Sequence, residues 1–553
     1  MLVNGYPTTV FTSQNTCVYN PTVIANAEET AVGEDKLFTI QLRDGLLFDD
    51  GSPITAKDYV FSLLLQASPA MRALGGLPAD LSHLTGFEGY ATEQTEVFSG
   101  VRLLGDLSFS LQLKKEMVPY FYEKAFLMVG PYPMAVLAPG AEVVDTGEGA
   151  KLKPALTAEL LQQTILDPVT GYLVRPVPGS GPYKLTSFHD ESGEASFEMN
   201  PHFLGNHEGR KPAITSLKFI HASGDAALAA LKNGSIDILH KVVDGKLIER
   251  GLKMDKVNYA PYARRGFAFF AFDAQNGVGA SKAVRQAFAY CVDAVKIAQE
   301  YTQGFGWPVY GDYGFGHWAI AQAAGANAIS ELPSLDGASF SAFDALPLHH
   351  YEVHLSRAAA LLDNDGWGFN ADGETYKAGQ VRHRKTDQGL APLAFNWLQP
   401  EGSKLSELAQ KIIEENCKRV GIQLKVTKVS QQAFFESYYG REPKGFDLYL
   451  LASNFGPAYD PYYTFMNPKG MAYSQGQADE SLLALAKALR ETPEGDTQLF
   501  VQRFMDYQKA YNDVLPTVPV YSNIYVDLYR NDIYNYRPAN HNSAANTILY
   551  ATR

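Results

Sequence analysis

The chain has 553 residues, of which 46% are hydrophobic and 19% charged, and its formal net charge is −13 at pH 7. This length exceeds what one hydrophobic core usually supports and predicts two or three domains, while the acidic balance argues against general binding to nucleic acids or anionic membranes. No stretch comes near the roughly 18 uninterrupted apolar residues of a membrane-spanning helix.

The N-terminus and the cysteines bear on the cellular compartment. The first residues carry neither the basic nor the apolar segment of a signal peptide. The chain is therefore expected to be cytosolic, or a targeting segment lies upstream of Met1. Cys17, Cys291 and Cys417 are far apart and odd in number, which excludes a disulfide scaffold and offers no metal-ligand spacing.

The first clear elements in chain order lie at 37–66, in LFTIQLRDGLLFDDGSPITAKDYVFSLLLQ. Apolar and polar residues alternate over 37–42, which predicts a half-buried strand. The DDGS sequence that follows is typical of a turn. Thr55 is a predicted N-cap of the next helix, and Asp58 carries the acidic side chain that favours a helix start.

Strands and helices alternate along the rest of the chain. Residues 97–115 predict a strand pair with a turn at Gly105-Asp106. The later predictions are one helix at 281–301, a βαβ unit at 393–429, a helix at roughly 494–512 and a strand pair at 514–530. The pattern is that of a mixed α/β protein without repeats or low-complexity segments.

Sequence signatures of catalysis are not found. No Gly-x-Ser-x-Gly elbow and no phosphate-binding loop occur, and Pro308 interrupts the glycine-rich GFGWPVYG. His350 and His354 would share a face if they lay on one helix, but Pro347 upstream predicts a solvated loop. The residues therefore predict a protein that binds without reacting, with no metal site and no cofactor.

Several motifs resemble one family in the same order along the chain. The first set lies in the 37–66 segment and comprises Leu42, Arg43, Gly45, Phe48, Asp50, Gly51, Pro53, Thr55, Ala56 and Asp58. Further matches are GSGPYKLTSF, NPHFLG, ALAALKNGSIDIL, the segment 281–311, AAALLDNDGW and YDPYYTF. Together they resemble the extracytoplasmic solute-binding proteins of the peptide/nickel class, or family 5, the receptors of ABC importers.

The resemblance implies an α/β fold of the periplasmic-binding-protein type, with two hinged lobes and an extra small domain (cluster C type). It places a small flanking domain of lobe 1 at 1–175 and the large domain of lobe 1 at 176–270 and 505–553. Lobe 2 is expected at 271–504. The 37–66 segment then belongs to the small domain and is expected to have a structural role.

The resemblance also implies a function. The chain would capture an oligopeptide or peptide-like solute between its lobes and deliver it to a membrane permease and ATPase on other chains, without catalysis. It would be extracytoplasmic, as a cell-surface lipoprotein or a periplasmic protein, with no nucleic-acid partner.

Two features depart from the family pattern. Only 36 residues precede Leu37, so the resemblance implies an N-terminus shortened relative to the family. Peptide receptors of the family often carry Trp and then Asp before the Asp-Pro dipeptide, and that Asp binds the peptide's α-ammonium. Here Asn454 or its neighbour replaces the Trp, and Gly456 or Pro457 stands in place of the Asp. The alternative is therefore a receptor for a non-peptide solute, such as an oligosaccharide or a metal chelate.

The resemblance implies a ligand-binding cleft between the lobes. Five residues are candidates for contact with the ligand there, and they are Trp397, Asn454, Phe455, Tyr459 and Tyr310. Trp397 is expected to stack on apolar parts of the ligand, and Asn454 to exchange hydrogen bonds with it. For each of them, packing within its own domain is an equally open alternative.

The hinge is expected where the chain first crosses between lobes, at Phe270, Phe272 and Asp273. The return crossing is expected near 500–506. Closure about such a hinge would let the ligand select the shut state by contacting both lobes.

Overall fold

The computed structural model describes residues 2–13, 15–74, 81–222, 224–273, 277–325, 341–466, 479–539 and 544–553. Contacts divide the chain into two units. Unit 1 comprises Met1–Asp237 and Tyr529–Arg553, and unit 2 comprises Ile238–Leu528. The three-domain division expected from the family resemblance stays a prediction.

The strands of the N-terminal part pair in antiparallel sheets. They are β1 (Thr9–Phe11), β2 (Cys17–Tyr19), β3 (Ile24–Val32), β4 (Asp35–Leu42), β5 (Val101–Gly105), β6 (Ser108–Leu113), β7 (Glu142–Asp145), β8 (Ala150–Lys153), β9 (Tyr183–His189), β10 (Glu194–Met199) and β11 (Ser216–Phe219). The larger sheets have the orders β3-β4-β6-β5 and β11-β10-β9, while β1 pairs with β2 and β7 with β8.

The strands that follow residue 237 build a mixed sheet. They are β12 (Ile238–Val242), β13 (Val257–Ala263), β14 (Ala268–Phe272), β15 (Gly306–Pro308), β16 (His383–Thr386), β17 (Gly389–Pro392), β18 (Ala394–Pro400), β19 (Gln423–Val429), β20 (Leu448–Ala452) and β21 (Thr517–Arg530). The sheet has the order β12-β21-β14-β20-β18-β19, with β13 and β15 also paired to β21. Strands β16 and β17 form a separate hairpin.

The helices flank these sheets within each unit. They are α1 (Ala56–Ala67), α2 (Pro69–Ala73), α3 (Phe87–Ala91), α4 (Met134–Leu137), α5 (Ala158–Thr164), α6 (Gly224–Asn233), α7 (Gly245–Gly251), α8 (Lys282–Ala289), α9 (Ala294–Thr302), α10 (Trp318–Ala323), α11 (Ser341–Asp344), α12 (Leu355–Asn364), α13 (Lys404–Arg419), α14 (Gln431–Tyr438), α15 (Pro461–Met466), α16 (Glu480–Arg490), α17 (Thr497–Val514) and α18 (Ala544–Ile548). None of the helices in the described part of the chain has the length and apolar character needed to cross a membrane.

The strand, turn and helix predicted at 37–66 are confirmed as β4, a turn and α1. Thr55 is the N-cap, and its N–H donates to Oδ2 of Asp58 at 2.8 Å. This capping box satisfies backbone donors that a helix start otherwise leaves unpaired. Gly51 supplies the positive φ of 83° that the turn requires. Helix α1 is buried along most of its length in the core of unit 1.

The βαβ unit is confirmed as β18, α13 and β19. The two strands are parallel, with Trp397 opposite Val426. Gly421 follows the helix with a φ of +85°, a conformation that favours glycine after a helix C-terminus. Helix α13 packs Ala409, Ile413 and Cys417 into the core of unit 2.

Two predictions of element boundaries were wrong. The helix predicted at 281–301 is two helices, because Asp293 caps α9 by accepting a hydrogen bond from the N–H of Lys296 at 2.9 Å. The strand pair predicted at 514–530 is the single strand β21. Ser522 and Asn523, whose residue types are common in turns, are buried in this strand, where tertiary contacts hold them.

Candidate ligand-binding site

A cavity of about 270 Å³ lies in unit 2, where the loop after β20 meets the loop after β15 and helix α17. Three residues predicted for the ligand site line it, namely Asn454, Phe455 and Tyr459. Asp312, Tyr507 and Tyr511 also line it. The structure thus brings together the predicted residues of one loop with a carboxylate from a distant part of the sequence.

Asn454 is held in one orientation by its side-chain oxygen. Oδ1 accepts a hydrogen bond from Nε of Arg264 at 2.8 Å and another from the hydroxyl of Tyr525 at 3.1 Å. The residue itself is exposed. Because the oxygen is engaged, the amide Nδ2 is the group that Asn454 can offer to a ligand as a donor.

Arg264 ties the loop to the sheet. Besides Asn454, its guanidinium donates to the carbonyl of Ser453 at 2.8 Å and to Oδ1 of Asn523 at 3.3 Å. Asn523 belongs to β21, so the arginine joins the cavity loop to the long strand of unit 2. All three acceptors are neutral groups, and two of them belong to the cavity loop. Arg264 therefore acts through hydrogen bonds that position this loop.

Phe455 and Tyr459 form the aromatic wall of the cavity. The two rings meet edge to face with centroids 5.2 Å apart, and Phe455 also contacts Phe267 at 5.8 Å. The Tyr459 ring is buried, and its hydroxyl donates to Oδ2 of Asp312 at 2.7 Å. Tyr459 therefore contributes its ring to the wall while its hydroxyl positions the carboxylate.

Asp312 is fixed by contacts to α17. Its backbone N–H donates to Oε1 of Gln508 at 2.7 Å, and Oδ2 accepts a second phenol hydrogen bond from Tyr507 at 3.2 Å. The neighbouring Gly311 lies so close that a Cβ there would be 2.4 Å from Oε1 of Gln508, so a larger residue would displace the Gln508 side chain that binds Asp312. Burial raises the pKa of Asp312 to about 6, against the lowering effect of the two tyrosine hydrogen bonds.

The other ionisable groups at the cavity are neutral or paired. His317 packs edge to face on Tyr459, with ring centroids 4.8 Å apart. Burial, with a smaller contribution from the charge of Arg265, lowers the pKa of His317 to about 3, so this ring is neutral. Asp460 forms an ion pair with Arg490 at 3.1 Å, and both side chains are mostly buried.

The remaining residues predicted for the ligand site lie elsewhere. Trp397 is fully buried in the core of unit 2, edge to face with Phe270 at 5.5 Å. Tyr310 stacks on His350 with centroids 3.9 Å apart and does not line the cavity. Their contact with a ligand stays a prediction.

The predicted hinge residues lie in and after β14. Phe270 and Phe272 are buried in that strand, which pairs with β20 on one side and β21 on the other. The N–H of Asp273 donates to the carbonyl of Asp447 at 3.0 Å. A hinge at these positions stays a prediction.

Asp312 and Arg264 were not foreseen from the sequence. Both come from segments far from the cavity loop, and their relevance depends on the pairing of β14, β15 and β21. The only local signal for Asp312 is that it stands as a single acidic residue in the aromatic-rich stretch GWPVYGDYGFGHW.

The side chains at the cavity suit noncovalent recognition of a mixed polar and apolar ligand. Across the described ranges, no group of three or more histidine, cysteine, aspartate or glutamate side chains could hold a metal ion. His354 of the histidine-rich segment instead caps α12, where its ring accepts a hydrogen bond from the N–H of Arg357 at 3.3 Å.

Comparison with known proteins gives relatives of this chain. The oligopeptide-binding protein OppA of Lactococcus lactis subsp. lactis is 25% identical over 416 residues, which cover 69% of this chain and 60% of that protein. The oligopeptide-binding protein AppA of Bacillus subtilis (strain 168) is 22% identical over 515 residues, which cover 91% of this chain and 78% of that protein. The chain thus spans about 60% of the length of the lactococcal relative it matches.

Solved structures show the same fold. Lactococcal OppA, complexed with an endogenous peptide in the closed conformation, matches with a TM-score of 0.72 at 16% identity and covers 100% of this chain and 93% of that chain. AppA from Bacillus subtilis, in complex with a nonapeptide, matches with a TM-score of 0.68 at 17% identity, with coverage of 100% and 93%. The expected α/β fold of the periplasmic-binding-protein type is confirmed.

Residues 23–475 match the family described as "Bacterial extracellular solute-binding proteins, family 5 Middle". That match spans most of the chain, and it agrees with the relatives and with the fold. The family is one of solute-binding proteins and not a catalytic one. The chain belongs to the bacterial extracellular solute-binding proteins of family 5.

Proposed function

We propose that this chain is the solute-binding subunit of an ABC importer and that it captures an oligopeptide or peptide-like solute. The observation that carries the proposal is the family match over residues 23–475. The relatives OppA and AppA are oligopeptide-binding proteins, which favours peptides as the solute.

The cavity next to the 454–459 loop is the part of unit 2 that we assign to the ligand. Asn454 offers an amide donor to a peptide carbonyl, because its oxygen is already bound by Arg264 and Tyr525. Phe455 and Tyr459 supply aromatic surface for apolar parts of the solute. Trp397 and Tyr310 are retained as further candidate contacts.

The proposed partners are a membrane permease and an ATPase on other chains, to which the loaded protein delivers its solute. The proposed location is extracytoplasmic, either at the cell surface as a lipoprotein or in the periplasm. No cofactor takes part, and the solute leaves chemically unchanged. The lobes would close on the solute through a hinge, since contacts with both lobes stabilise the closed state.

Thermal unfolding with defined solute pools tests this function. A bound ligand at a hundred times its Kd adds about 2.7 kcal/mol to the free energy of unfolding, which raises the melting temperature. We expect a pool of short peptides of mixed sequence to raise it, and a mixture of the constituent free amino acids to have no such effect. If no peptide shifted the melting temperature, the proposal would be rejected.

A second candidate solute is a non-peptide, either an oligosaccharide or a metal chelate. The observation that favours it is the absence of a carboxylate between Asn454 and Tyr459, where peptide receptors of the family carry one. The same unfolding assay separates the two candidates when it is run with pools of oligosaccharides and of metal–amino acid chelates. A response to one of these pools, and none to peptides, would select the second candidate.

A further inference from the structure

One of the two carboxylates that line the cavity has no ion-pair partner in the described part of the chain. The two carboxylates are those of Asp312 and Asp460. Asp460 is neutralised by Arg490 at 3.1 Å. Asp312 forms no ion pair with any residue that the structure describes, and its carboxylate accepts hydrogen bonds from the phenol hydroxyls of Tyr459 and Tyr507. The carboxylate of Asp312 therefore has no ion-pair partner among the residues that the structure describes.

The side chains in contact with Asp312 bring no positive charge to it, and the guanidinium of Arg264 is bound to Asn454, Asn523 and the carbonyl of Ser453 instead. Both phenols donate hydrogen bonds to the carboxylate but are neutral, because burial raises their pKa values well above the ordinary range. His317, which packs on Tyr459, is neutral for the opposite reason, since burial favours the uncharged imidazole. A pKa of about 6 leaves Asp312 mostly ionised at neutral pH.

Aromatic residues make up much of the remaining wall of the cavity. Six aromatic residues line the cavity, and they are Phe455, Tyr459, Tyr463, Phe465, Tyr507 and Tyr511. Aromatic rings attract cations through the negative potential of their faces and also accommodate the carbon atoms next to an ammonium group. A carboxylate among aromatic rings suits an organic cation better than Ca²⁺ or Mg²⁺, which require several oxygen ligands.

We propose that this cavity binds a protonated amine of the transported solute, with Asp312 as its counter-ion and the aromatic residues around its carbon atoms. The inference rests on the proposed function and narrows it to solutes that carry an ammonium group. The amine belongs either to the N-terminus of a peptide or to a lysine side chain, since both present the same chemistry.

Three peptide pools test the inference with the unaltered protein. The first contains short peptides with free N-termini and without lysine, arginine or histidine, so the α-ammonium is the sole cation. The second contains the same peptides with acetylated N-termini. The third contains acetylated peptides with one lysine each. The readout is the concentration of each pool that gives half of the maximal rise in melting temperature.

We expect the first or the third pool to act at a concentration about tenfold to a hundredfold below that of the second, as the loss of a charge-assisted hydrogen bond implies. Which of the two responds identifies the source of the amine. Equal half-saturating concentrations for all three pools would overturn the inference while leaving peptide binding intact. A response to none of them would contradict the proposed function itself.

The variant Asp312→Asn provides a second measurement. It keeps the shape of the side chain and its ability to accept hydrogen bonds from Tyr459 and Tyr507, but it removes the charge. We expect it to abolish the difference between the amine-bearing pool that responds, the first or the third, and the second pool, which carries no amine. The matched control is Asp513→Asn, which removes an exposed carboxylate on α17 that does not line the cavity and should bind as the unaltered protein does. Retention of the difference in Asp312→Asn would overturn the inference.

Discussion

Asp447 lies directly before β20, where its Oδ1 accepts a hydrogen bond from the N–H of Asn396 at 2.6 Å. Burial, with the neighbouring charge of Asp273 as a smaller cause, raises the pKa of Asp447 from 3.8 to about 7. Between about pH 4 and pH 7 the folded protein therefore holds a proton that the unfolded chain has released. The contribution of Asp447 to the free energy of unfolding therefore falls as the pH rises through this window.

The variant Asp447→Asn should remove that part of the pH dependence. A shift from 3.8 to about 7 corresponds to a loss on the order of 4 kcal/mol across the window. We expect urea unfolding at several pH values to give a flatter profile for the variant than for the unaltered protein. Asp387→Asn, at an exposed turn position, is the control. If Asp447→Asn and the unaltered protein gave parallel profiles, Asp447 would not be the source of this pH dependence.

Trp397 is a case in which burial changes the expected effect of a substitution. The sequence predicts that Trp397→Ala weakens ligand binding and leaves the empty protein nearly as stable as before. The fully buried ring, packed on Phe270, instead predicts a loss of about 3–5 kcal/mol in the free energy of unfolding. Denaturant unfolding without ligand decides between the two. Tyr439→Ala, at an aromatic residue that is 52% exposed, should cost far less.

Among the elements, the long helix α17 depends on a cation supplied by α8. The guanidinium of Arg285 donates to the carbonyls of Val514 and Leu515 at the end of α17, at 2.9 and 2.7 Å. It also donates to the carbonyls of Gly279 and Ala280, each at 2.9 Å. The last carbonyls of a helix have no partner within the helix, and a positive charge there is favourable.

Arg285→Ala should therefore destabilise the protein by at least about 3 kcal/mol, since it leaves several buried carbonyls without a donor. Burial lowers the pKa of Arg285 to about 10, so the group is charged at neutral pH and its hydrogen bonds are charge-assisted. Urea unfolding measures the loss. Gln286→Ala removes an exposed hydrogen bond to the carbonyl of Asp513 and a long one of 3.4 Å to the hydroxyl of Tyr351, and it should cost far less. Similar losses in the two variants would argue against this role of Arg285.

Element identity was largely predictable from local patterns, and element boundaries were less so. The capping box of Thr55 and Asp58 and the stop at Gly421 are signals that act within a few residues, and both predictions are confirmed. The break before Asp293 was missed because the apolar pattern continues through it. In β21, Ser522 and Asn523 are typical turn residues, but contacts to Gly266 and Arg264 hold them in a strand.

At the scale of the whole molecule, the family resemblance gave the fold, and part of the candidate site followed from it. The 454–459 loop could be located because its motif lies next to the Asp-Pro dipeptide. Asp312 could not be located in this way, because 147 residues separate it from Tyr459. Only the folded chain brings the two side chains together. Local sequence signals do not encode a contact of that kind.

The position of the hinge is a question for the whole molecule. The sequence predicts bending at 270–273, but Phe270 is paired with Leu450 on one side and Val518 on the other, so bending within β14 would disturb two strand ladders. The chain passes from one unit to the other at 237–238 and 528–529. We expect hydrogen–deuterium exchange, measured with and without the responsive peptide pool, to change at these two crossings and to remain slow in β14. The second pool, acetylated and without lysine, serves as the control if it does not bind. Ligand-dependent exchange confined to 270–273 would instead support the hinge that the sequence predicts.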